Sequence, residues 1–175
     1  VYTIKDDERS IRFSLASSSV AENAGSAAVT VTLAAATLTT HAITVDYKFS
    51  GTAKAGLDYT LSEGTIDFGS TLAGGSSATR TLTIPINNDL NDELNETLIL
   101  TLSNPVNAVL AAPALIQHTL TITDNDATPS ITFNTASQTL TVSEGTAAQP
   151  QIVNLPVTLS LPSDLSPAVD YTVSG

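Results

Sequence analysis

The stretch Asn87-Asn88-Asp89-Leu90-Asn91-Asp92-Glu93-Leu94-Asn95-Glu96 places four carboxylates and four side-chain amides within ten residues. Before it Leu82, Ile84 and Ile86 recur at every second residue, and after it Leu98, Leu100 and Leu102 do the same. Hard oxygen donors gathered between two strands suit a cation that takes six to eight oxygens, which is the coordination chemistry of Ca²⁺. The same residues also describe a solvated acidic turn. What decides between the two is where the rest of the chain places its other carboxylates.

The chain has 175 residues, a formal net charge of −11, two His, six Lys and Arg together, and no Cys, Met or Trp. Its length fits one or two domains with a real apolar core. Scattered cations in an acidic chain make no basic patch, which argues against nucleic-acid and anionic-membrane partners. The absence of Cys removes disulfides, thiolate zinc sites and cysteine nucleophiles together. No apolar run reaches the roughly 18–20 residues of a membrane span, so this segment is not expected to insert directly. No leader pattern stands at Val1, and the sequence reads as an interior segment of something larger.

Four matches recur in the same order along the chain. Tyr2-Thr3-Ile4-Lys5-Asp6 parallels Leu120-Thr121-Ile122-Thr123-Asp124, and Ser10-Ile11-Arg12-Phe13 parallels Ser130-Ile131-Thr132-Phe133. Val20-Ala21-Glu22 parallels Val142-Ser143-Glu144, and Val45-Asp46-Tyr47 parallels Val169-Asp170-Tyr171. The offsets are 118, 120, 122 and 124 residues, which describes a tandem repeat of domain size. The expected organisation is a last strand of a preceding repeat (1–9), a complete repeat (10–126), a linker (127–129) and the first strands of a following repeat (130–175).

Within the complete repeat, period-two alternation predicts seven strands, at 11–22, 28–34, 42–49, 65–68, 79–86, 97–102 and 116–124. The first is expected to break at Ser17-Ser18-Ser19, and Pro85 puts its strand at an edge or a bulge. The implied fold is all-β, an immunoglobulin-like seven-strand β-sandwich, tandemly repeated. Successive turns of an antiparallel sandwich alternate between its two ends. That topology brings Glu22, Asp58, Asp89, Asp92, Glu93, Glu96, Asp124 and Asp126 to one end. Like charges about 5 Å apart repel by roughly 3 kcal/mol at an effective dielectric near 20, so the patch calls for counter-charge. A large, flexible oxygen shell favours Ca²⁺ over Mg²⁺, and zinc would call for His or Cys.

The run Gly51-Thr52-Ala53 with Gly56, Asp58 and Tyr59 resembles the G-T-A-x-x-G-x-D-Y motif of Calx-beta domains. Val20-x-Glu22-x-x-Gly25, the Asp89/Glu93/Glu96-Thr97 block and Ile122-Thr123-Asp124-Asn125-Asp126 resemble further motifs of the same family. The resemblance implies a sandwich whose end loops bind several Ca²⁺ ions. Carried over by position, its ligands are Glu22, Asp58, Asp89, Glu93, Glu96, Asp124 and Asp126, with Asp92 in reserve. Asn87 and Asn88 stand where the exchanger version of the loop carries Asp, which implies fewer or weaker sites.

The expected role is a calcium-binding structural or adhesive repeat of a large extracellular or cell-surface protein. Ca²⁺ would stiffen the junction between repeats, and the partners would be neighbouring repeats or copies of itself, with fibre assembly by strand complementation. The alternatives are a regulatory Ca²⁺ sensor, as in sodium–calcium exchangers, and an accessory repeat of a secreted enzyme. His118 shares a face with Ile116, Leu120 and Ile122 and reads as a core-edge histidine, and Asp46, Asp67 and Asp170 read as wet-face residues. No catalytic constellation is visible, so the segment is not expected to be an enzyme.

Overall fold

The computed structural model describes residues 9–34, 41–70, 77–111, 113–133, 141–147 and 149–174. The strand expected in the first nine residues lies almost wholly outside them. The chain forms two compact units, one of residues up to Asn88 with Asn95–Asn125, the other of Asp89–Leu94 with Asp126–Gly175.

Among the described residues nine strands build the first unit: β1 (Ser10–Phe13), β2 (Ser17–Ala21), β3 (Ser26–Ala34), β4 (Ile43–Gly51), β5 (Gly64–Gly69), β6 (Ala78–Pro85), β7 (Glu96–Val106), β8 (Val109–Leu110) and β9 (Gln117–Thr123). One sheet has the order β6-β3-β1-β8 and the other β2-β9-β7-β4-β5. Alternation decides the inner faces: Val29, Val31 and Leu33 on β3 and Leu98, Leu100 and Leu102 on β7 are buried in one core with Ile11, Phe13 and Ile84. Short helical turns occur at Glu22–Ala24 and Pro113–Leu115. Among the described residues no helix is long and apolar enough to cross a membrane.

The strand count differs from seven for two reasons. The first predicted strand divides between the sheets, β1 running antiparallel to β3 and β2 parallel to β9. Its break falls at residues 14–16, ahead of the serine triplet, which lies in β2. That triplet is polar because β2 is an edge strand. The second addition is β8, a two-residue strand parallel to β1. Pro85 ends β6 on the edge of its sheet, as its missing donor requires.

His118 fixes the crossing from one sheet to the other. It is 2% exposed and lies 5.6 Å from the Phe13 ring. Its Nδ1 is 2.8 Å from the Leu15 carbonyl and its Nε2 is 2.8 Å from Ser18 Oγ. A carbonyl only accepts, so Nδ1 carries the proton and Nε2 takes the serine hydroxyl. Substituting His118→Ala strips the Leu15 carbonyl of this partner and opens a void beside Phe13. The expected cost is about 3 kcal/mol by urea denaturation.

On the outer face Asp46 accepts hydrogen bonds from Thr65 Oγ1 at 2.7 Å and Asn104 Nδ2 at 3.0 Å. These two bonds hold its carboxyl below the usual aspartate value. In the second unit β10 (Ile131–Phe133) pairs with β11 (Val157–Leu159), and most of its large apolar side chains are exposed.

Candidate metal centre

The rim of the first unit begins where β4 ends. Gly51 has φ 121°, and a Cβ there would lie 2.1 Å from the Thr97 carbonyl oxygen. Only a glycine lets the two backbones come this close. The same carbonyl accepts the N–H groups of Thr52 at 2.9 Å and Ala53 at 3.0 Å, and the Thr97 N–H donates to Thr52 Oγ1 at 2.8 Å. Gly51-Thr52-Ala53 is therefore a clasp that fastens the connection after β4 to the start of β7, beside Glu96.

The clasp leads into a turn over Ala55–Tyr59. The Gly56 N–H donates to the Tyr59 carbonyl at 2.7 Å and the Asp58 N–H to the Lys54 carbonyl at 3.0 Å. The Asp58 carboxylate accepts the Lys54 N–H. Tyr59 anchors the turn below, its ring 5.4 Å from Phe49. Burial pushes its phenol up, helped by the carboxylates of Glu63 and Asp58.

Asn87 binds this turn to the end of β6. Its N–H donates to the Asp58 carbonyl at 3.0 Å, and its side-chain amide donates to the Leu57 carbonyl at 2.6 Å. The adjacent Ile86 N–H donates to Gly25 at 3.1 Å, which reaches the helical turn carrying Glu22. From that turn the Asn23 N–H donates to Asn125 Oδ1 at 3.0 Å. The Asp124 N–H in turn donates to Asn95 Oδ1 at 3.1 Å, one residue before Glu96.

These bonds run around one end of the sandwich and hold four predicted ligands on it: Glu22, Asp58, Glu96 and Asp124. Glu22 is buried. Asp124 Oδ1 is buried with no hydrogen-bond partner, a condition native proteins rarely tolerate without an ion or water to satisfy it. The donors are carboxylate oxygens, His118 is committed to the core, and the chain has no thiol. This donor set fits a hard divalent cation such as Ca²⁺.

Asp89, Glu93 and Asp126 belong to the second compact unit. Asp89 accepts the Asn91 N–H at 2.7 Å. Asp92, the reserve candidate, is 6% exposed and otherwise engaged. Its carboxylate accepts Ser163 Oγ at 3.1 Å and Thr128 Oγ1 at 3.4 Å, and its carbonyl accepts the Asp164 N–H at 3.2 Å. Sequence reasoning missed the positioning roles of Asn87, Asn95 and Asn125. Their signal was present, since each amide adjoins a strand end or a carboxylate of the cluster.

Residues 5–126 match the profile of the Calx-beta domain, and the span contains all seven predicted ligands. The chain belongs to the Calx-beta domain family. A crystal structure of the apo-form Calx CBD1 domain is similar at 28% identity and TM-score 0.56, over 68% of this chain and 99% of that one. A crystal structure of the calcium binding domain CBD12 of CALX1.1 is similar at 26% identity and TM-score 0.56, over 71% of this chain. The match spans 48% of that structure's own length. The Calx CBD2 domain, at 11% identity and TM-score 0.50, shares the fold alone. No curated protein matches the chain. The Calx-beta motifs seen in the sequence thus correspond to the clasp, the Asp58 turn and the hydrogen-bonded rim.

Proposed function

We propose that this Calx-beta domain binds Ca²⁺ at the rim and serves as a structural repeat of a large extracellular or cell-surface protein. On the first unit Glu22, Asp58, Glu96 and Asp124 are the proposed ligands, and Asp89, Glu93 and Asp126 are the further carboxylates assigned to binding. The observation that carries the reading is the buried, unpartnered Asp124 Oδ1 on a rim built by backbone and asparagine bonds. The CBD12 structure, named as a calcium binding domain, supports it.

The bound ion is also proposed to stiffen the junction between repeats. Asp89 and Glu93 flank Asp92, which is bonded to Thr128 and Ser163. Charge held by this short loop constrains the segment after Asp126. Asn87 and Asn88 supply no charge, which supports an affinity near the extracellular-module range of about 10⁻⁴–10⁻³ M.

Calorimetric titration and thermal melting test this together. With a Kd of about 10⁻⁴ M, 10 mM Ca²⁺ stabilises by about 2.7 kcal/mol relative to chelator, a rise of roughly 10 °C in Tm for a domain of this size. No heat and an unchanged Tm would sink the proposal. Submicromolar binding would instead favour the regulatory sensor.

A further inference from the structure

The β4–β5 ladder runs from Ile43 opposite Gly69 to Tyr47 opposite Gly64, and Phe49, the next inward residue of β4, lies beyond it. Its N–H, which a further rung would have used, donates to Glu63 Oε1 at 3.1 Å. The Tyr47 hydroxyl donates to the Ser62 carbonyl at 3.1 Å. Further back the Thr60 N–H donates to the Pro85 carbonyl at 3.2 Å, and the Gly56 N–H closes its turn onto the Tyr59 carbonyl. The space between this segment and Phe49 is thus set by hydrogen bonds along the segment rather than by loose packing.

That space is a cavity of about 520 Å³ open to solvent, within the roughly 300–1,000 Å³ of small-molecule sites. Phe49 and Tyr59, their rings 5.4 Å apart in an edge arrangement, line it together with Ala55 and Leu61. Among the described residues lining it Glu63 alone carries a charge. A carboxylate beside aromatic rings selects one class of ligand. The rings attract a cation through their electron-rich faces, and the carboxylate pairs with it. A neutral apolar guest would strip water from Glu63 without replacing it, and an anion would meet its charge. A bare metal ion would use Glu63 and leave the apolar walls without contact.

We propose that this cavity binds an alkylguanidinium or alkylammonium group, with the charge at Glu63 and the aliphatic stem against Phe49, Tyr59 and Leu61. The field of the whole chain, with its formal net charge of −11, draws cations towards it. Two sources supply such a group, a free small cation and an arginine or lysine side chain of another protein, and the experiment separates them. None of the proposed Ca²⁺ ligands is among the described residues lining the cavity. The test is therefore run in chelator, and its outcome does not depend on the metal.

The experiment titrates the isotope-labelled protein with n-butylguanidinium and follows backbone amide shifts by NMR. Salt at about 150 mM screens exposed charges beyond roughly 8 Å. Saturable shifts are expected at Phe49, Ala55, Gly56, Tyr59 and Leu61, with a Kd of about 1 mM for a ligand of this size. The neutral n-pentanol should shift them far less at the same concentration. Glu63→Gln keeps an acceptor for the Phe49 N–H and should weaken binding about fivefold. Phe49→Leu keeps an apolar wall without the ring and should weaken it about threefold. A blocked Gly-Arg-Gly peptide that binds tighter than n-butylguanidinium assigns the site to a protein side chain, and one that binds no tighter assigns it to a free cation. Absence of saturable shifts, equal shifts with n-pentanol, or an unchanged Kd in Glu63→Gln would overturn the proposal. So would shifts centred on Glu22, Glu96 and Asp124 that vanish in Asp124→Asn, because the cation would then only be screening the acidic rim.

Discussion

Replacing Gly51 with alanine should cost about 4 kcal/mol of stability, read as a lowered urea midpoint at unchanged slope. Two effects add. A φ of 121° is strained for any residue with a Cβ, by about 1–3 kcal/mol. The added methyl also meets Thr97, 2.1 Å from its carbonyl oxygen and 2.9 Å from its carbonyl carbon, an overpacking of similar size, about 1–3 kcal/mol. The chain cannot step aside cheaply. That carbonyl is held by Thr52 and Ala53, and Gly51 sits directly opposite Leu98 in the sheet. Gly25→Ala is the control: its φ is 77° but nothing lies within 4 Å of the new Cβ, so only the left-handed strain of about 1–2 kcal/mol is expected. Equal costs at the two positions would show that the close approach to Thr97 does not govern.

The Gly51 clasp also shows what a sequence discloses and what it withholds. The strands were legible because alternation is local: Val29, Val31 and Leu33 announce an inner face without reference to anything distant. His118 was legible for the same reason, by sharing the parity of Leu120 and Ile122. The break in the first strand was misplaced because serines look like punctuation. Its true position follows from His118, a hundred residues away, bonding the Leu15 carbonyl. β8 escaped because two residues carry no periodicity and its partner β1 is nearly a hundred residues distant.

The acidic loop was read as one wall of a cluster, and its residues divide more finely than their types suggest. Asn87 reads as a lost charge in the sequence, yet its amide is a brace for the Asp58 turn. Asp92 has the same chemistry as its neighbours Asp89 and Glu93, and only the approach of Thr128 and Ser163 sets it apart. No local pattern in the sequence marks which carboxylate of the loop is engaged by hydroxyls. The repeat match missed 157–159 for a related reason. Three residues are too short to align, and their equivalence to Val31–Leu33 becomes visible only through the partner strand, where Phe133 faces Val157 as Phe13 faces Val31.

Asp124 provides the sharpest separation of a ligand from a structural residue, because Asp124→Asn is expected to change sign with calcium. In chelator the carboxylate is a liability. Its buried Oδ1 has no partner, and an unsatisfied buried polar group costs about 1–3 kcal/mol. It also lies at the rim that holds Glu22, Asp58 and Glu96. Removing the charge should leave the melting temperature unchanged or raise it, while the Asp124 N–H bond to Asn95 remains available. In 10 mM Ca²⁺ the order inverts, since the variant forgoes most of the roughly 2.7 kcal/mol that binding contributes to the parent. A carboxylate that served only the fold would be missed equally in both solutions. Parallel melts of parent and variant, with and without the ion, therefore decide the role of this residue, and a Tm loss of the same size under both conditions would remove Asp124 from the ligand set.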